Sequence, residues 1–398
     1  MQEFLESVPI IDTHMHRILP EKEPDFGQIA GGSIAGPDQE RHARRRVLFS
    51  MLTQALREEF AMEDDTPAEE VEAERERRVK SDSKGYYRDC FHKENVAMYC
   101  IETGAPLRCP ALTEKENCFF DDCLPEGRYC VVLRVERFVE ELLPLGLPFS
   151  EFEHRLYDTI CSEIRRQNAV ALKSAVAYYG GLRVLLPTPQ EAAKAYEQIL
   201  AGHRGAEQER IFFSYTLMLG AMAAYDQDIP IQIHTGPGNG LFLDHTSFNP
   251  VCLSDFLRDP RILNRTRIVL LHCGQPYEEE TGFLVSQYSN VYTDVSQTVV
   301  FSSLCAVQKL RELLEYAPMD KVMYGSDCVL FPELVWFAAR RLRQVTGHTM
   351  EQLFQEGYLS RGEAEAFARG LFYENACSCY TRLPALIEKS LSCSARRC

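Results

Sequence analysis

The fold of this chain is decided by the stretch Ile10–His16, which reads IIDTHMH and lies close to the N-terminus. On a β-strand alternate side chains point the same way, so His14 and His16 would project together while Met15 faces the opposite side. Two neighbouring imidazoles at the end of a buried strand can bind Zn, Mn or Fe. A single His-x-His is a weak signal, so the interpretation depends on whether later strands supply further ligands.

The bulk composition sets the class of protein. The chain has 398 residues, long enough for one large α/β barrel with insertions or for two ordinary domains. Apolar residues make up 45% and charged residues 25%, values typical of a soluble globular protein. The 43 basic and 58 acidic residues leave a net charge of −15, which argues against general binding of nucleic acid or an anionic membrane. The expected partner is therefore a small-molecule substrate, and self-association into a homo-oligomer stays open.

Location follows from segments that the sequence does not contain. The first residues are acidic where a signal peptide needs a basic region, and no apolar run approaches the roughly 18 residues of a membrane span. We therefore expect a cytoplasmic protein whose fifteen cysteines are reduced.

Eight apolar runs alternate with helical patterns along the chain. The runs begin at Val8, Val96, Cys130, Ala169, Pro230, Arg267, Val291 and Lys321. Near-continuous apolar runs are typical of parallel strands that are covered on both faces. Eight β–α units in a chain of this length predict a (β/α)8 TIM barrel, in the α/β class, as a single domain over residues 1–398.

Two segments fall outside this alternation. Residues 18–84 are polar and helical in pattern, and we interpret them as an insertion into the first β-to-α connection that covers the barrel mouth as a lid. Residues 351–398 are expected to form a C-terminal extension of helices packed outside the barrel.

Metal-type residues end four of the predicted strands, where this fold places active sites. His14 and His16 end strand one, His234 ends strand five, His272 ends strand six and Asp327 ends strand eight. Any one of these histidines alone is more often a hydrogen-bonded core residue. Together, five such residues at one end of a barrel favour a metal centre.

The residue types indicate a chemistry. A divalent cation held by neutral imidazoles and one carboxylate keeps a position open for water, whose pKa falls from near 16 toward roughly 7. Asp327 can accept the proton of that water and pass it to a leaving group. His272 either binds a second ion or orients and polarises the substrate.

These positions, in this strand order, resemble the amidohydrolase superfamily of metal-dependent hydrolases. Five longer sequence motifs resemble one branch of this superfamily, whose members occur alone or fused to glutamine-synthetase-like domains. That branch is grouped with the decarboxylase-like metal-dependent hydrolases. These motifs are Leu172–Tyr178, Gln232–Gly236, Arg267–His272, Asn290–Asp294 and Lys321–Asp327. Where members carry Tyr-Arg-Ser-Gly-Leu, this chain reads YYGGL over Tyr178–Leu182, so that arginine is missing and Arg183 is the nearest substitute.

The resemblance implies roles for further residues. In binuclear members a lysine at the end of strand four is carboxylated and bridges two ions, and Lys173 is placed like it; a salt-bridged cation or a contact to a substrate carboxylate are the alternatives. Arg134 and Glu136 alternate on predicted strand three, where they either pair with each other or contact substrate. Tyr178 and Asp294 are weaker candidates of the same kind, and Arg183 is a candidate for substrate binding because it lies close to the missing arginine.

Three functions are compatible with these residues. The first is a metal-dependent hydrolase of C–N (amide or cyclic amide) or ester bonds in a small molecule, and the second is a non-oxidative decarboxylase of a small carboxylic acid with one ion. The third is a metal-bound scaffold without turnover. Zinc is the expected ion, with manganese or iron as alternatives, at one or two ions per chain.

Overall fold

The structure, a computed structural model, describes residues 1–19, 25–30, 38–104, 114–236, 238, 243–298, 302 and 304–395. In this part of the chain no helix is both long and apolar enough to cross a membrane.

Eight parallel strands form one sheet in sequence order, which confirms the (β/α)8 prediction. They are β1 (Ile10–His16), β2 (Val96–Glu102), β3 (Tyr129–Arg134), β4 (Ala171–Ser174), β5 (Ile231–Ile233), β6 (Ile268–Leu270), β7 (Val291–Asp294) and β8 (Val322–Met323). The sheet nearly closes on itself, because backbone hydrogen bonds of 2.8–3.1 Å join β1 to the residues that directly follow β8. The apolar runs predict longer strands than these, and β8 keeps only two of the seven residues over Lys321–Asp327.

Helices alternate with the strands and continue beyond β8 to the end of the described chain. They are α1 (Gln2–Ser7), α2 (Gln39–Ala43), α3 (Val47–Glu59), α4 (Ala68–Ser81), α5 (Ser83–His92), α6 (Glu114–Cys123), α7 (Val135–Leu142), α8 (Phe149–Gln167), α9 (Pro189–Leu200), α10 (Ala206–Asp226), α11 (Ser254–Arg258), α12 (Glu278–Gln287), α13 (Ala306–Leu314), α14 (Glu333–Gln355), α15 (Arg361–Arg369), α16 (Asn375–Cys379) and α17 (Leu383–Ala395). Short 3-10 turns follow β4 (Val176–Tyr179) and β6 (Leu271–Gly274).

Strand alternation divides the core into two parts. On β2, Met98 and Cys100 belong to an apolar cluster inside the barrel, whereas Tyr99 and Ile101 belong to the large cluster between the barrel and its helices. By the same alternation the next residue, Glu102, points inward. The strands therefore carry apolar side chains low in the barrel and polar ones at their carboxyl ends.

The C-terminal extension does not lie wholly outside the barrel, contrary to expectation. Helix α14 runs through the predicted boundary at residue 351, and part of the chain beyond it enters the barrel interior. This part, here called the C-terminal plug, contributes five side chains to the inner cluster: Ala376, Cys379, Tyr380, Leu383 and Ile387. The physical reason is that short strands leave the inner cluster open at its amino-terminal end, where an apolar helix can bury its face.

Hydrogen bonds place the plug at the amino-terminal end of the strands. Arg382 donates to the carbonyls of Ala169 and Gln227, which precede β4 and β5, at 2.8 and 2.9 Å. Asn375 donates to the carbonyls of Met319 and Val322 at the start of β8. The plug thus closes the end of the barrel opposite the strand termini that carry the predicted ligands.

The insertion lies beside the connection that follows β8. Its Arg75 forms a buried ion pair of 2.5 Å with Glu333, and Phe26 packs edge-on against Phe331 with ring centroids 5.7 Å apart. Residues 20–24 and 31–37 of the insertion lie outside the described chain. The extent of the insertion and its role as a lid stay predictions.

Candidate metal centre

The predicted ligands of β1 project from the inner face of the barrel mouth. A register shift between Asp12 and Met15 interrupts the pairing of β1 with β2, a bulge of the kind that redirects side chains. The rings of His14 and His16 lie 5.0 Å apart, centroid to centroid, and nearly perpendicular at 82°. His14 is fully buried, and His16 is 12% exposed. The strand therefore presents both imidazoles at a nearly enclosed position.

Asp327 joins these two histidines. Its Oδ1 lies 3.3 Å from His14 Nε2 and 3.3 Å from His16 Nε2. Donor atoms bound to one Zn²⁺ in tetrahedral geometry at about 2.0–2.1 Å lie roughly 3.3 Å from one another. The three side chains offer ligand atoms that all lie within 4.8 Å of one another. Their spacing and their chemistry fit one divalent cation.

Hydrogen bonds determine which nitrogen of His14 is free. The Gln232 amide nitrogen donates to the Thr13 carbonyl at 2.7 Å, so the Gln232 oxygen must be the atom that faces His14 Nδ1 at 3.0 Å. Nδ1 therefore carries the proton, and Nε2 presents its lone pair toward Asp327. For His16 the carboxylate of Glu102 lies 3.0 Å from Nδ1 and favours the same tautomer.

His234 and His272 form a second group beside the first. His234 Nδ1 lies 3.1 Å from His272 Nε2. His272 Nδ1 faces the Ser296 hydroxyl at 2.7 Å, and that hydroxyl donates to Asp294 at 2.6 Å. The hydroxyl oxygen is thus left to accept, so His272 carries its proton on Nδ1 and turns Nε2 inward.

Lys173 lies beside the first group, and its charge also acts on the two histidines of the second group. Its Nζ is 3.5 Å from His14 Nε2, and the residue is 2% exposed. Burial lowers the pKa of Lys173 to about 8; the charge of Asp327 opposes this shift, and that of Arg134 adds to it. A buried amine with a lowered pKa is more readily deprotonated, and thus more nucleophilic, than a surface lysine.

The electrostatics of the mouth favour neutral imidazoles and an ionised aspartate. Burial lowers the pKa of His14 to about 3 and holds the pKa values of His234 and His272 well below the usual value; the charge of Lys173 acts in the same direction. Burial would raise the pKa of Asp327, but the attraction between its carboxylate and the protonated forms of His272 and of the two β1 histidines outweighs burial, and that pKa lies well below its usual value. Neutral imidazole and carboxylate are the forms that bind cations.

His16 differs from the other histidines of the site. Burial lowers its pKa, but the hydrogen bonds to Asp327 and Glu102 outweigh burial, and the net shift is upward. Of the predicted ligand histidines, His16 is therefore the first to take up a proton as the pH falls.

Arg134 and Glu136, two of the predicted substrate-binding residues, do not lie on the same strand as expected. Strand β3 ends at Arg134 and α7 begins at Val135, so the strand alternation stops and Glu136 lies in the first turn of a helix. The predicted Arg134–Glu136 pair is wrong: Arg134 donates to Glu102 at 2.6 Å, whereas Glu136 accepts from the Ser174 hydroxyl at 2.6 Å.

The other two substrate candidates are divided between the mouth and the surface. The Tyr178 hydroxyl lies 3.1 Å from His234 Nε2, at the metal centre. Arg183 is exposed to solvent. Substrate-binding roles for both residues stay predictions.

Several residues that support the ligands were missed. Gln232 lies on β5, two residues before His234, which directly follows that strand, so strand alternation predicts that both side chains point inward. Glu102 is likewise an acidic residue that ends an apolar run. Gln297, whose amide donates to Asp327 Oδ2 at 2.6 Å, had no such signal because it lies in a loop after β7.

Backbone strain is concentrated at this mouth. Positive φ angles, which are unfavourable for residues other than glycine, occur at His272 (66°), Cys273 (41°), Gln297 (57°) and Asp327 (49°). Such residues cluster at functional sites, where the surrounding structure holds them in place. The strain therefore supports a functional role for this end of the barrel.

Comparison with known proteins identifies the family. The amidohydrolase family model matches residues 11–380. Protein fluG of Emericella nidulans is 23% identical over 423 residues, which cover 96% of this chain and 46% of that protein; the chain thus spans about half the length of this curated relative.

Solved structures agree on the fold. A protein of Lactobacillus casei ATCC 334, provisionally described as a metal-dependent hydrolase, aligns with a TM-score of 0.79 at 22% identity over 98% of both chains. The uronate isomerase of Thermotoga maritima aligns with a TM-score of 0.63 at 14% identity over 95% of this chain and 96% of its own. With a family match over nearly its whole length, this chain belongs to the amidohydrolase family.

Proposed function

We propose that this protein is a metal-dependent hydrolase that cleaves a C–N bond (amide or cyclic amide) or an ester bond in a small molecule. The observation that carries the proposal is that Nε2 of His14 and Nε2 of His16 each lie 3.3 Å from Oδ1 of Asp327. Partners at Nδ1 favour a free Nε2 on both of these histidines and on His272 of the second group. A site built only for stability has no need to direct several imidazole lone pairs into the barrel mouth.

His14, His16 and Asp327 would hold the first ion, and Zn²⁺ suits their nitrogen and oxygen donors. The bound ion supplies Lewis-acid chemistry, which polarises a carbonyl and brings the pKa of water toward roughly 7. A second ion at His234 and His272 needs more than two imidazoles, and a carboxylated Lys173 would add an anionic oxygen between the two groups.

Asp327 is the proposed general base. Its low pKa keeps it ionised at neutral pH, so it can accept a proton from the attacking water and return that proton to the leaving nitrogen or oxygen. The Gln297 amide holds Oδ2, which leaves Oδ1 turned toward the two β1 histidines. His272 either binds the second ion or polarises the scissile carbonyl.

Arg134 is the proposed contact for an anionic part of the substrate. It is 5% exposed, yet its Nε and Nη1 have no hydrogen-bond partner among the described residues, while Nη2 binds Glu102. A buried guanidinium with unused donors is costly unless another group pairs with it. Tyr178, beside His234, is proposed to orient the substrate carbonyl.

A non-oxidative decarboxylase is the second candidate. The observation that favours it is that His14, His16 and Asp327 are sufficient to hold a single ion without the second group. Decarboxylation would release CO₂, whereas hydrolysis would release an amine or an alcohol together with a carboxylic acid.

The experiment is a screen of amides, cyclic amides, esters and carboxylic acids against the metal-loaded and the chelator-treated protein, with CO₂ measured in parallel. Hydrolysis of a substrate that stops on chelation and returns with Zn²⁺ would support the proposal. Metal-dependent CO₂ release without hydrolysis would assign the decarboxylase instead. Turnover that chelation does not affect would refute both.

A further inference from the structure

A buried line of hydrogen bonds connects the C-terminal plug to the first metal ligand. The Gln232 amide nitrogen donates to the Tyr380 hydroxyl at 2.9 Å, and the Gln232 oxygen accepts from His14 Nδ1 at 3.0 Å. Gln232, His14 and Tyr380 are all fully buried. The line therefore crosses the barrel interior from its closed end to its mouth without solvent.

Gln232 has no freedom to turn in this arrangement. Its two N–H groups are both used, one by the Thr13 carbonyl and one by the Tyr380 hydroxyl, and its oxygen is used by His14. Turning the amide by 180° would set its oxygen against the Thr13 carbonyl, and neither oxygen can donate. Tyr380 thus completes the contacts that hold the Gln232 oxygen against His14 Nδ1.

Tyr380 is itself held rigidly. The neighbouring Thr381 hydroxyl donates to the Asp228 carbonyl at 2.7 Å, and Arg382 binds two further carbonyls at the same end of the barrel. Tyr380 also packs in the apolar inner cluster with strand residues such as Ile11 and Val132. Its hydroxyl is consequently fixed relative to the strands, which is what an orienting group requires.

We propose that Tyr380 is a positioning residue for the metal centre, which acts through Gln232 to hold His14 with its Nε2 lone pair directed at the cation. This inference rests on the proposed function for the existence of a bound ion. It adds that the C-terminal plug, which reaches His14 through Gln232, contributes to the metal affinity at the opposite end of the barrel.

The test is the Zn²⁺ affinity of the full-length, metal-free protein, measured by competition with a chromophoric chelator. Tyr380→Phe removes only the hydroxyl. Tyr196→Phe is the matched control, because Tyr196 is equally buried and its hydroxyl binds the Leu147 carbonyl at 2.9 Å, outside the barrel. Circular dichroism and thermal melting show whether each variant is folded.

Outer-shell partners of metal-ligating histidines are typically worth roughly 10–100-fold in metal affinity, so we expect a loss of that size for Gln232→Leu. Tyr380→Phe acts one hydrogen bond further from the ligand, so it should weaken Zn²⁺ binding by less than that, roughly 3–10-fold, and Tyr196→Phe should leave it unchanged. In the double variant Tyr380→Phe/Gln232→Leu the effect of Tyr380 should disappear, because residues that act through one another are not additive.

The outcomes separate this inference from the proposed function. If the wild-type protein binds no Zn²⁺, the proposed function fails and the inference fails with it. If the wild type binds Zn²⁺ and Tyr380→Phe binds it equally well, only the inference is overturned. A Tyr380 effect that persists in full in the double variant would show a structural role independent of Gln232; Gln232→Met takes the place of Gln232→Leu if the latter does not fold.

Discussion

The two ends of the barrel are built from the same eight strands but from opposite kinds of residue. At the carboxyl end, strand termini and the loops after them carry polar side chains: His14, Lys173, His272 and Asp327. The backbone has positive φ angles at His272, after β6, and at Asp327, after β8. At the amino end, the C-terminal plug fills the interior with apolar side chains.

The contrast teaches where a barrel separates chemistry from stability. Buried polar and charged groups are costly unless each one is paired, so the mouth needs a network in which nearly every donor has an acceptor. The closed end gains its stability from apolar burial, which places few demands on geometry. Through the line from Tyr380 by way of Gln232 to His14, the closed end also serves the mouth.

The largest expected effect compares the two ends of a single strand. Asp327→Asn, after β8, should lower kcat/KM by about 10³-fold or more, because it removes a ligand charge and the general base together. Asp320→Asn, before β8, is exposed and should leave turnover unchanged. Steady-state kinetics on the substrate found in the screen measure both, and thermal melting checks the fold. Full activity in Asp327→Asn would remove this residue from the mechanism.

A substitution in the C-terminal plug should lower stability and leave the metal centre intact. Leu383 is fully buried, so Leu383→Ala should lower the free energy of unfolding by about 2–5 kcal/mol through the cavity it creates. Its Zn²⁺ affinity should stay within about twofold of the wild type, since Leu383 belongs to the apolar inner cluster and takes no part in the hydrogen bonds that join Tyr380, Gln232 and His14. Leu391→Ala, at a position that is 57% exposed on the same helix, is the control and should change stability little.

Denaturant unfolding and chelator competition on the same samples give both values. A Leu383→Ala variant that keeps its stability but loses its metal would contradict the view that the amino end of the barrel provides stability and the carboxyl end holds the metal.

The role of Lys173 decides whether the barrel mouth holds one ion or two. If Lys173 bridges two ions, Lys173→Met should lower the bound metal by one ion per chain, because His234 and His272 alone offer too few ligands for the second ion. Lys80→Met, at an exposed lysine, should not change the count. Elemental analysis of metal-loaded protein measures the ratio. An unchanged count of one ion in both variants would assign Lys173 to a role other than a bridge.

The last comparison concerns the protonation of a single ligand, which makes the metal affinity depend on pH. His16 has a pKa raised above its ordinary value of 6.5, whereas the pKa of His14 is about 3, so His16 is protonated first as the pH falls. Because a protonated imidazole cannot bind a cation, the Kd for Zn²⁺ should rise about tenfold per pH unit below the pKa of His16.

Glu102→Gln removes a carboxylate that raises this pKa, so the rise should begin at a lower pH in that variant. Chelator competition between pH 8 and pH 5 tests the prediction. A Kd that stays constant over this range would contradict the place of His16 among the ligands.

Much of this architecture was predictable from the sequence. The eight strands and their order follow from apolar runs that recur between helices, and the five metal-type residues follow from their places at the ends of those runs. The predicted strands were too long where the apolar pattern of the sequence continues past the end of the strand. Glu136 stands two residues after Arg134, but the chain has already turned into a helix there.

Other features depended on contacts between distant parts of the chain. Tyr380 and Gln232 are 148 residues apart, and nothing in either neighbourhood indicates that their side chains meet. The plug was placed outside because its helices have an apolar face that fits a barrel exterior as well as a barrel end. Gln297 reaches Asp327 only through a left-handed backbone conformation, which its residue type does not predict.

The central claim is that His14, His16 and Asp327 share one cation. The most direct test is an anomalous difference map, recorded on either side of the zinc absorption edge, from crystals of the Zn²⁺-loaded protein. We predict a peak within about 2.0–2.2 Å of His14 Nε2, His16 Nε2 and Asp327 Oδ1. A map without a peak at this position, or with zinc only at another place on the chain, would contradict the claim.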